Sequence, residues 1–449
     1  NKNVAFVKGA PEILLALSNL DEKQKREYQS LLLDYQNKAM RTLALAYVES
    51  NGSEQVLKDG KLNVNDLNFV GIFGISDPVR EDVPAAINDC VSAGIQVKIV
   101  TGDTSGTAKE IGRQIGLWNE KDTDKNILTG TEFAAMTDDE LLNRVEDVKI
   151  LSRARPNDKE RLVRLLQKRG LVVAATGDGT NDAPALNVAD VGLSMGDGTA
   201  VAKEASDMTI QDNSFSTIAN AVMWGRSLYK NIQRFLLFQL TVNVTACFLV
   251  LVGAFMGTQS PLTVTQMLWI NLIMDTFAAI ALASLPPSKS VMNDKPRDRK
   301  ASILSDSMRK EILGVGFFFF FLLVAMLFVF EHGDYTSMRD LLNLYIGERD
   351  SLTTYELTLL FTTFVMTHFF YLFNARAFET GKSALHFKGC QGLLAIIAVV
   401  FLGQIAMVEI PFLQDFFNVC GLKFEDWIII IIGSSLVLWV REIWHLITK

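Results

Sequence analysis

The sequence predicts two structural classes in one chain: an α/β domain with a doubly wound parallel sheet, followed by an all-α transmembrane domain of six helices. Three observations support this prediction. Predicted strands alternate with predicted helices in the first half, as in parallel-sheet folds. Charged residues are plentiful up to Lys230 and sparse within long stretches after it. Six later segments approach the ~20 apolar residues that cross a hydrocarbon core.

The N-terminal residues 1–68 are predicted to be a separate α+β piece. Apolar residues between Tyr28 and Tyr35 recur at helical spacing, which indicates a helix. The β-branched and apolar run at 43–48 indicates a strand that follows it. From residue 69 to residue 222 we expect the parallel-sheet domain. Its strands are predicted at 69–75, 97–100, 150–151 and 171–175, and its helices at 83–93, 107–115 and 158–168.

The C-terminal part, residues 223–449, is predicted to hold the six spans. They are placed at 235–255, 262–283, 312–330, 355–373, 392–410 and 427–444, after an amphipathic stretch at 224–234. Lysine and arginine fill the connection between the second and third spans, whereas acidic residues dominate the next connection. The positive-inside bias therefore places the basic connection in the cytoplasm, together with the soluble domains.

The string Thr176-Gly177-Asp178-Gly179-Thr180-Asn181-Asp182-Ala183-Pro184-Ala185-Leu186 follows the predicted buried strand 171–175. Ligands bind at the carboxyl ends of such strands in open α/β sheets. Gly177 and Gly179 let the backbone approach an anion, and Asp178 and Asp182 supply hard oxygen ligands for Mg²⁺. The alternative is an ordinary Gly/Asp turn that closes a βα unit. The length and order of the string favour a phosphoryl-transfer site.

This string resembles the hinge motif of P-type cation-transporting ATPases, whose catalytic domain has the haloacid-dehalogenase fold. Four further stretches match in order: Lys8-Gly9-Ala10-Pro11-Glu12 resembles a nucleotide-domain loop, and Arg41-Thr42-Leu43-Ala44-Leu45-Ala46 a second nucleotide-contacting segment, while Thr101-Gly102-Asp103 and Arg153 to Lys159 resemble phosphate-binding stretches. Asp77-Pro78-Val79-Arg80 is similar to a DPPR motif, with Val79 departing from it. The resemblance covers essentially the whole chain.

The resemblance implies ATP and Mg²⁺ as cofactors and gives roles to specific residues. The nucleotide would be contacted by Lys8, Gly9, Arg41, Asp77, Arg80, Thr101, Gly102, Asp103, Arg153 and Lys159. Phosphoryl transfer would involve Thr101, Gly102, Asp103, Lys159, Asp178, Asn181 and Asp182, with Asp178 as the Mg²⁺ ligand. For Thr101 the alternative is a helix cap, and for Lys159 it is a surface lysine.

Two parts of the family pattern do not occur in the sequence: the DKTGT segment, whose Asp is phosphorylated, and the TGE loop of the actuator domain. The chain also starts at Asn1 without Met. We therefore expect its partner to be the remainder of a longer pump, with the actuator domain, four more membrane helices and the phosphorylated Asp. By itself the segment is expected not to turn over ATP, because the nucleophile lies elsewhere.

Polar residues inside the predicted spans are functional candidates, because they are costly in lipid. Asn271 and Asp275 share one face of a regular α-helix at i and i+4, and Asn243 lies in the span before. Amide and carboxylate oxygens suit Ca²⁺; the alternative for Asn243 and Asp275 is interhelical hydrogen bonding. The stretch 269–277 resembles plasma-membrane-type Ca²⁺ pumps.

The resemblance further implies a single Ca²⁺ site. Where two-site Ca²⁺ pumps carry additional oxygen ligands, Ala246, Met274 and His368 stand here, so we expect one of the two sites to be absent. Few residues follow Trp444, so no calmodulin-binding tail is expected. The protein is expected in the plasma membrane, in contact with lipid.

Composition narrows the remaining alternatives. The net charge of −7 comes with no basic stripe or aromatic RNA-reading motif, so nucleic acid receives no support. The four cysteines show no CxxC pairing, which argues against a disulfide framework or a soft-metal site. Three hypotheses stay open: a Ca²⁺ pump, a pump for another hard cation such as Mn²⁺, and a catalytically silent nucleotide-binding fragment.

Overall fold

The computed structural model describes residues 3–38, 40–50, 57–58, 61–62, 66–75, 78–257, 259–333, 337–338, 352–387 and 390–447. The chain forms two compact units. The first comprises Asn1–Val222 together with Met292–Lys300, and the second comprises Met223–Val291 and Ala301–Lys449.

The first unit begins with an antiparallel sheet. The strands up to residue 75 are β1 (Asn3–Gly9), β2 (Arg41–Ser50), β3 (Leu57–Lys58), β4 (Lys61–Leu62) and β5 (Asn68–Ile75), and the helices are α1 (Pro11–Ala16) and α2 (Glu22–Asn37). The sheet order is β1-β2-β5, and β3 pairs with β4. Helix α2 starts at a capping box, in which Asp21 and Gln24 each accept the other's backbone N–H.

Strand β5 corrects one prediction. The strand predicted at 69–75 exists, but it pairs antiparallel with β2 and so does not open the parallel sheet. The predicted division at residue 68 therefore passes through this antiparallel sheet. Its core includes Leu14, Ala44, Ala46 and Leu67, which are all buried. Alternating apolar residues indicate that one face of a strand is buried, but they do not show whether the neighbouring strand is parallel or antiparallel.

The rest of the first unit is an α/β region with two three-stranded parallel sheets. Their strands are β6 (Ile99–Val100), β7 (Ile127–Thr129), β8 (Ile150–Ser152), β9 (Ala174–Gly177), β10 (Val191–Met195) and β11 (Met208–Ile210). The orders are β6-β8-β7 and β9-β10-β11. The helices are α3 (Val83–Ser92), α4 (Ser105–Gln114), α5 (Gly130–Ala135), α6 (Asp138–Leu142), α7 (Pro156–Lys168), α8 (Ala183–Val188) and α9 (Ala200–Glu204), with a 3₁₀ turn at Asp124–Asn126.

The strands predicted at 97–100 and 150–151 correspond to β6, which covers only residues 99–100, and to β8, and the two are parallel neighbours. The strand predicted at 171–175 begins three residues later, as β9, and it is not buried. Val172 is 62% exposed, and the residues of β9 alternate between exposed and half-buried. Residues 171–173 are not part of the strand, and among the described strands β9 has a neighbour on one side only. The apolar β-branched run therefore did not imply a strand covered on both faces.

The second unit is helical. Its helices are α10 (Phe215–Met256), α11 (Val264–Leu268), a π-helical turn (Trp269–Met274), α12 (Asp275–Ala283), α13 (Asp306–His332), α14 (Thr354–Arg376), α15 (Gln391–Glu409), α16 (Pro411–Phe417) and α17 (Phe424–Ile447), with a 3₁₀ turn at Lys289–Asn293. Six helical segments among the described residues are long and apolar enough to cross a membrane, which agrees with the predicted number. The amphipathic stretch 224–234 continues into the first span within one helix, α10.

Helix α14 lies at the centre of this unit. Most of its residues are buried, and its aromatic side chains pack with those of its neighbours, as when Tyr371 lies edge-on to Phe319 on α13. Small residues permit close approach elsewhere. A Cβ on Gly316 would lie 3.1 Å from the Val244 side chain, so α10 and α13 approach closely at this glycine.

Candidate phosphoryl-transfer and cation sites

The glycine-rich loop at 177–182 connects β9 to α8 and is folded around Asp182. This carboxylate is buried, at 7% exposure, and it accepts the backbone N–H groups of Asp178 and Gly179 at 3.2 Å each. A Cβ on Gly177 would lie 2.3 Å from the Cβ of Asp182, so only glycine fits there. The loop is thus a nest of N–H groups that holds an oxyanion, here a side-chain carboxylate.

Lys159 joins this loop from another part of the fold. Its Nζ lies 2.5 Å from Oδ1 of Asp182. Helix α7, which carries Lys159, starts with Pro156 in its first turn, and Asp158 accepts the N–H of Arg155 at 2.8 Å. Lys159 is therefore a partly buried, ion-paired lysine at the N-terminal end of a helix, beside the oxyanion nest.

The Thr101-Gly102-Asp103 loop follows β6 and is fastened to the residues before α7. The carbonyl of Thr101 accepts the N–H of Ala154, and that of Asp103 accepts the N–H of Arg153, both at 2.9 Å. Thr101 donates its hydroxyl to Asp103 at 2.8 Å. The cap of α4 is Thr104 rather than Thr101. Two predicted motifs, residues 101–103 and 153–159, thus form one framework.

Asp178 and Asn181 have exposed side chains at the same loop. Among the described residues, no hydrogen bond or ion pair engages the Asp178 carboxylate. Mg²⁺ is commonly held by one or two carboxylates together with phosphate oxygens, so an exposed, unengaged Asp178 fits such a site. No group of three His, Cys, Asp or Glu side chains able to hold a metal occurs in the described part of the chain.

A second Gly-Asp-Gly string supports Asp178, and sequence reasoning missed it. Residues 196–198 follow β10, and the N–H of Thr199 donates to the carbonyl of Asp178 at 2.8 Å. A Cβ on Gly198 would lie 3.1 Å from the same carbonyl oxygen. The signal available in the sequence was the pair of glycines directly after residues 191–195, because glycines at the end of a strand mark a close backbone approach.

The predicted nucleotide residues are distributed over the first unit. Lys8 is exposed on β1, opposite Leu45 of β2, and Gly9 ends that strand. Arg41 opens β2, but its side chain and all of Asp77 lie outside the described residues. Arg80 is exposed and donates to the carbonyl of Asn213. The described contacts do not join these residues to the loop at 177–182.

Asp275 is the first residue after the π-helical turn of the second membrane segment. Its backbone N–H donates to the carbonyl of Ile270, five residues earlier. The side chain is 3% exposed, and neither carboxylate oxygen has a hydrogen-bond partner among the described residues. A buried carboxylate without a partner is costly unless a cation or a proton offsets its charge.

Because of the π turn, Asn271 and Asp275 are not placed on one face by α-helical spacing. The i, i+4 rule assumes the angular spacing of an α-helix, and the segment between these residues is not α-helical. Asn271 is exposed, Asn243 is half-buried and Asp275 is buried. The geometry therefore supports Asp275 as the central group and leaves the two asparagines as candidates.

Ala246, Met274 and His368 are all buried within the second unit. His368 bonds through Nδ1 to the carbonyl of Phe364 at 2.8 Å and lies edge-on to Phe319. A hydrocarbon side chain, a thioether and an imidazole offer no hard oxygen ligand.

Both the α/β region and the membrane region of the chain are similar to known proteins. The haloacid dehalogenase-like hydrolases match residues 5–190 and again 160–222, and the cation transporting ATPase C-terminus matches residues 259–447. An Arabidopsis thaliana protein that carries the name calcium-transporting ATPase 13, plasma membrane-type, is 38% identical over 442 residues, 95% of this chain and 41% of the relative. Calcium-transporting ATPase 5, plasma membrane-type, of Oryza sativa subsp. japonica is 37% identical over 452 residues, 96% of this chain and 40% of the relative.

The fold and these matches define a haloacid-dehalogenase-like α/β region followed by six membrane-length helices, as predicted. The chain belongs to the P-type cation-transporting ATPases. Within that family its relatives named above are plasma-membrane-type calcium-transporting ATPases, and the chain spans 41% and 40% of their lengths.

Proposed function

We propose that this chain is part of an ATP-driven pump that exports Ca²⁺ from the cytoplasm across the plasma membrane through a phosphoenzyme. The observation that carries the proposal is Asp275, a buried carboxylate without a partner inside a membrane-length segment. The relatives, which are named calcium-transporting ATPases, favour Ca²⁺ as the cation. The soluble domains lie in the cytoplasm, on the side of the basic connection.

In this proposal the phosphoryl group is bound by the framework of Thr101, Gly102 and Asp103 and by Lys159. Asp178 would hold Mg²⁺ at the phosphoryl group, Asp182 organises the loop, and Asn181 is exposed beside it. Mg²⁺ supplies charge neutralisation at the transferred group. ATP is contacted by Lys8, Gly9, Arg41, Asp77, Arg80 and Arg153.

The covalent nucleophile belongs to the remainder of the pump, because the DKTGT segment does not occur in this sequence. Strands β6 and β9 are both edge strands of their sheets, and both end at the candidate loops. We place the strand that carries the nucleophile along these edges, since ligands gather at the carboxyl ends of parallel strands. The actuator domain and the further membrane helices complete the pump, with lipid around the helices.

The transported Ca²⁺ is bound by Asp275, Asn271 and Asn243, and by oxygen atoms from the remainder of the pump. One ion per ATP is expected, because Ala246, Met274 and His368 cannot supply the hard ligands of a second cage. In this proposal the single Ca²⁺ site depends on Asp275.

Equilibrium binding of ⁴⁵Ca²⁺ to the purified complete pump tests this proposal. One high-affinity ion per phosphorylatable site is expected, and Asp275→Asn should abolish Ca²⁺-dependent phosphorylation by ATP. The matched control is His368→Gln, which changes another buried polar residue and should leave the stoichiometry at one. Two high-affinity ions per site would refute the single-site assignment. Turnover that is insensitive to Ca²⁺ but dependent on Mn²⁺ would transfer the assignment to that cation.

A further inference from the structure

The second membrane segment widens at Trp269–Met274, directly before Asp275. In a π turn the backbone N–H bonds to the carbonyl five residues back, as Asp275 does to Ile270. One such turn adds about one residue to a helix, and one residue corresponds to about 100° of rotation. The turn therefore decides the direction in which the Asp275 side chain projects.

The first residue of the turn is held from outside its own helix. The indole Nε1 of Trp269 donates to Oε1 of Gln404 on α15 at 3.0 Å. The ring lies against Gly403, where a Cβ would approach Cη2 to 3.0 Å. Phe417 at the end of α16 packs edge-on against the indole, with 5.7 Å between ring centroids.

A second contact anchors the helix on the same side of the turn. Gln266 of α11 is 1% exposed and donates its amide to the carbonyl of Phe417 at 3.2 Å. One contact therefore lies before the π turn, and the other lies at its first residue, Trp269. No comparable hydrogen bond from another helix is found on Thr276 or Phe277 in the described part of the chain. The fixed end of the turn is the end at Trp269.

Gln404 is not explained by packing. It is 1% exposed, and its Nε2 has no hydrogen-bond partner among the described residues. A leucine of similar volume would fill the space without burying an unpaired donor. The hydrogen bond that the structure gives this side chain is the one to Trp269.

We propose that Gln404 is a positioning residue, whose hydrogen bond to Trp269 fixes the π turn and thereby the orientation of Asp275 in the cation site. The assignment rests on the proposed function, since it requires that Asp275 bind the transported cation. Gln404 acts on binding through Trp269 and the backbone of the turn, not by ligating the ion.

The test measures the Ca²⁺ concentration that gives half-maximal phosphorylation of the complete pump by ATP. Gln404→Leu should raise this concentration about tenfold, the effect of one lost buried hydrogen bond. The maximal phosphoenzyme level, and phosphorylation by inorganic phosphate without Ca²⁺, should stay within about twofold. Asn374→Leu is the matched control, because Asn374 is a buried amide that donates to the carbonyl of Val437, away from the turn.

Trp269→Phe removes the donor and keeps an aromatic ring, so it should produce a shift in the same direction even if Gln404→Leu is poorly expressed. The double variant should raise the half-maximal Ca²⁺ concentration no further than the single variant with the larger effect, because both substitutions remove the same hydrogen bond. Additive shifts, or a shift in Gln404→Leu no larger than in Asn374→Leu, would overturn the proposal.

Failure of the proposed function gives a different result. If Asp275→Asn retains Ca²⁺-dependent phosphorylation, the cation assignment itself is refuted. If Asp275→Asn abolishes that phosphorylation while Gln404→Leu leaves the Ca²⁺ dependence unchanged, only the positioning role is refuted.

Discussion

The ion pair between Lys159 and Asp182 predicts different effects on the free energy of unfolding and on the rate of phosphoenzyme formation. Nζ and Oδ1 are 2.5 Å apart, and the two side chains are 26% and 10% exposed. Lys159→Met removes the cation and leaves the carboxylate with its two backbone N–H donors. Breaking a fully buried pair costs about 3–5 kcal/mol. Because the lysine is one quarter exposed and the N–H donors remain, we expect about 2 kcal/mol here.

The loss of phosphorylation rate in Lys159→Met should exceed the effect on the free energy of unfolding. A preorganised cation at a transferred phosphoryl group contributes on the order of 10²–10³ in rate, so phosphoenzyme formation from ATP should fall by that factor in Lys159→Met. Adding Asp182→Asn removes the uncompensated charge. The double variant should recover most of the lost thermal stability but none of the lost rate.

The assays are thermal denaturation of the complete pump in detergent and rapid-quench measurement of phosphoenzyme formation. Lys168→Met is the matched control on the same helix, because Lys168 pairs with Asp138 at 3.3 Å and both side chains are about half exposed. Such a pair contributes roughly 0–1 kcal/mol. If Lys159→Met were no more destabilising than Lys168→Met, or if it phosphorylated normally, the assignment of Lys159 would be wrong.

Three further predictions concern the first unit. Gly130→Ala places a Cβ 2.3 Å from the carbonyl oxygen of Arg153, so it should cost about 1–3 kcal/mol and slow phosphorylation by displacing Lys159; unchanged melting would contradict this. Burial lowers the pKa of Lys98 to about 8 from 10.5, so the unfolded state binds more protons between these values and stability should rise with pH across that window. Lys98→Met should remove that rise in thermal melts at pH 8 to 10.5, and an unchanged slope would refute it. Lys8→Ala should raise the ATP concentration needed for phosphorylation while sparing phosphorylation by inorganic phosphate, and equal loss of both would make Lys8 a folding residue.

Local signals in the sequence placed many elements correctly. Helix α3 was predicted at 83–93 and runs over Val83–Ser92, and the six spans were found from length and apolarity. These predictions succeed because hydrophobic periodicity and the cost of charge in hydrocarbon act on neighbouring residues, whatever the rest of the fold does. The glycine-rich string was likewise visible, since its residue types are unusual at any position.

Pairing between strands was less accessible. Strand β5 was found as a strand but assigned to the wrong sheet, and β9 was expected to be buried although it lies at an edge. The short strands β7, β10 and β11 were not predicted. A strand's own residues specify that one face is apolar, but its neighbours are chosen by segments far along the chain.

The sequence by itself determined that this chain joins a haloacid-dehalogenase-like α/β region to six membrane-length helices, and which residues are candidates for chemistry. Only the tertiary structure decided how three of them are arranged. It paired Lys159 with Asp182 across two elements, and it inserted a π turn before Asp275 where the sequence predicted a regular helix. The physical reason is the same in both cases. Lys159 and Asp182 lie on different elements, and Trp269 at the start of the π turn bonds to Gln404 on another helix. Groups so far apart in the sequence do not contribute to local spacing.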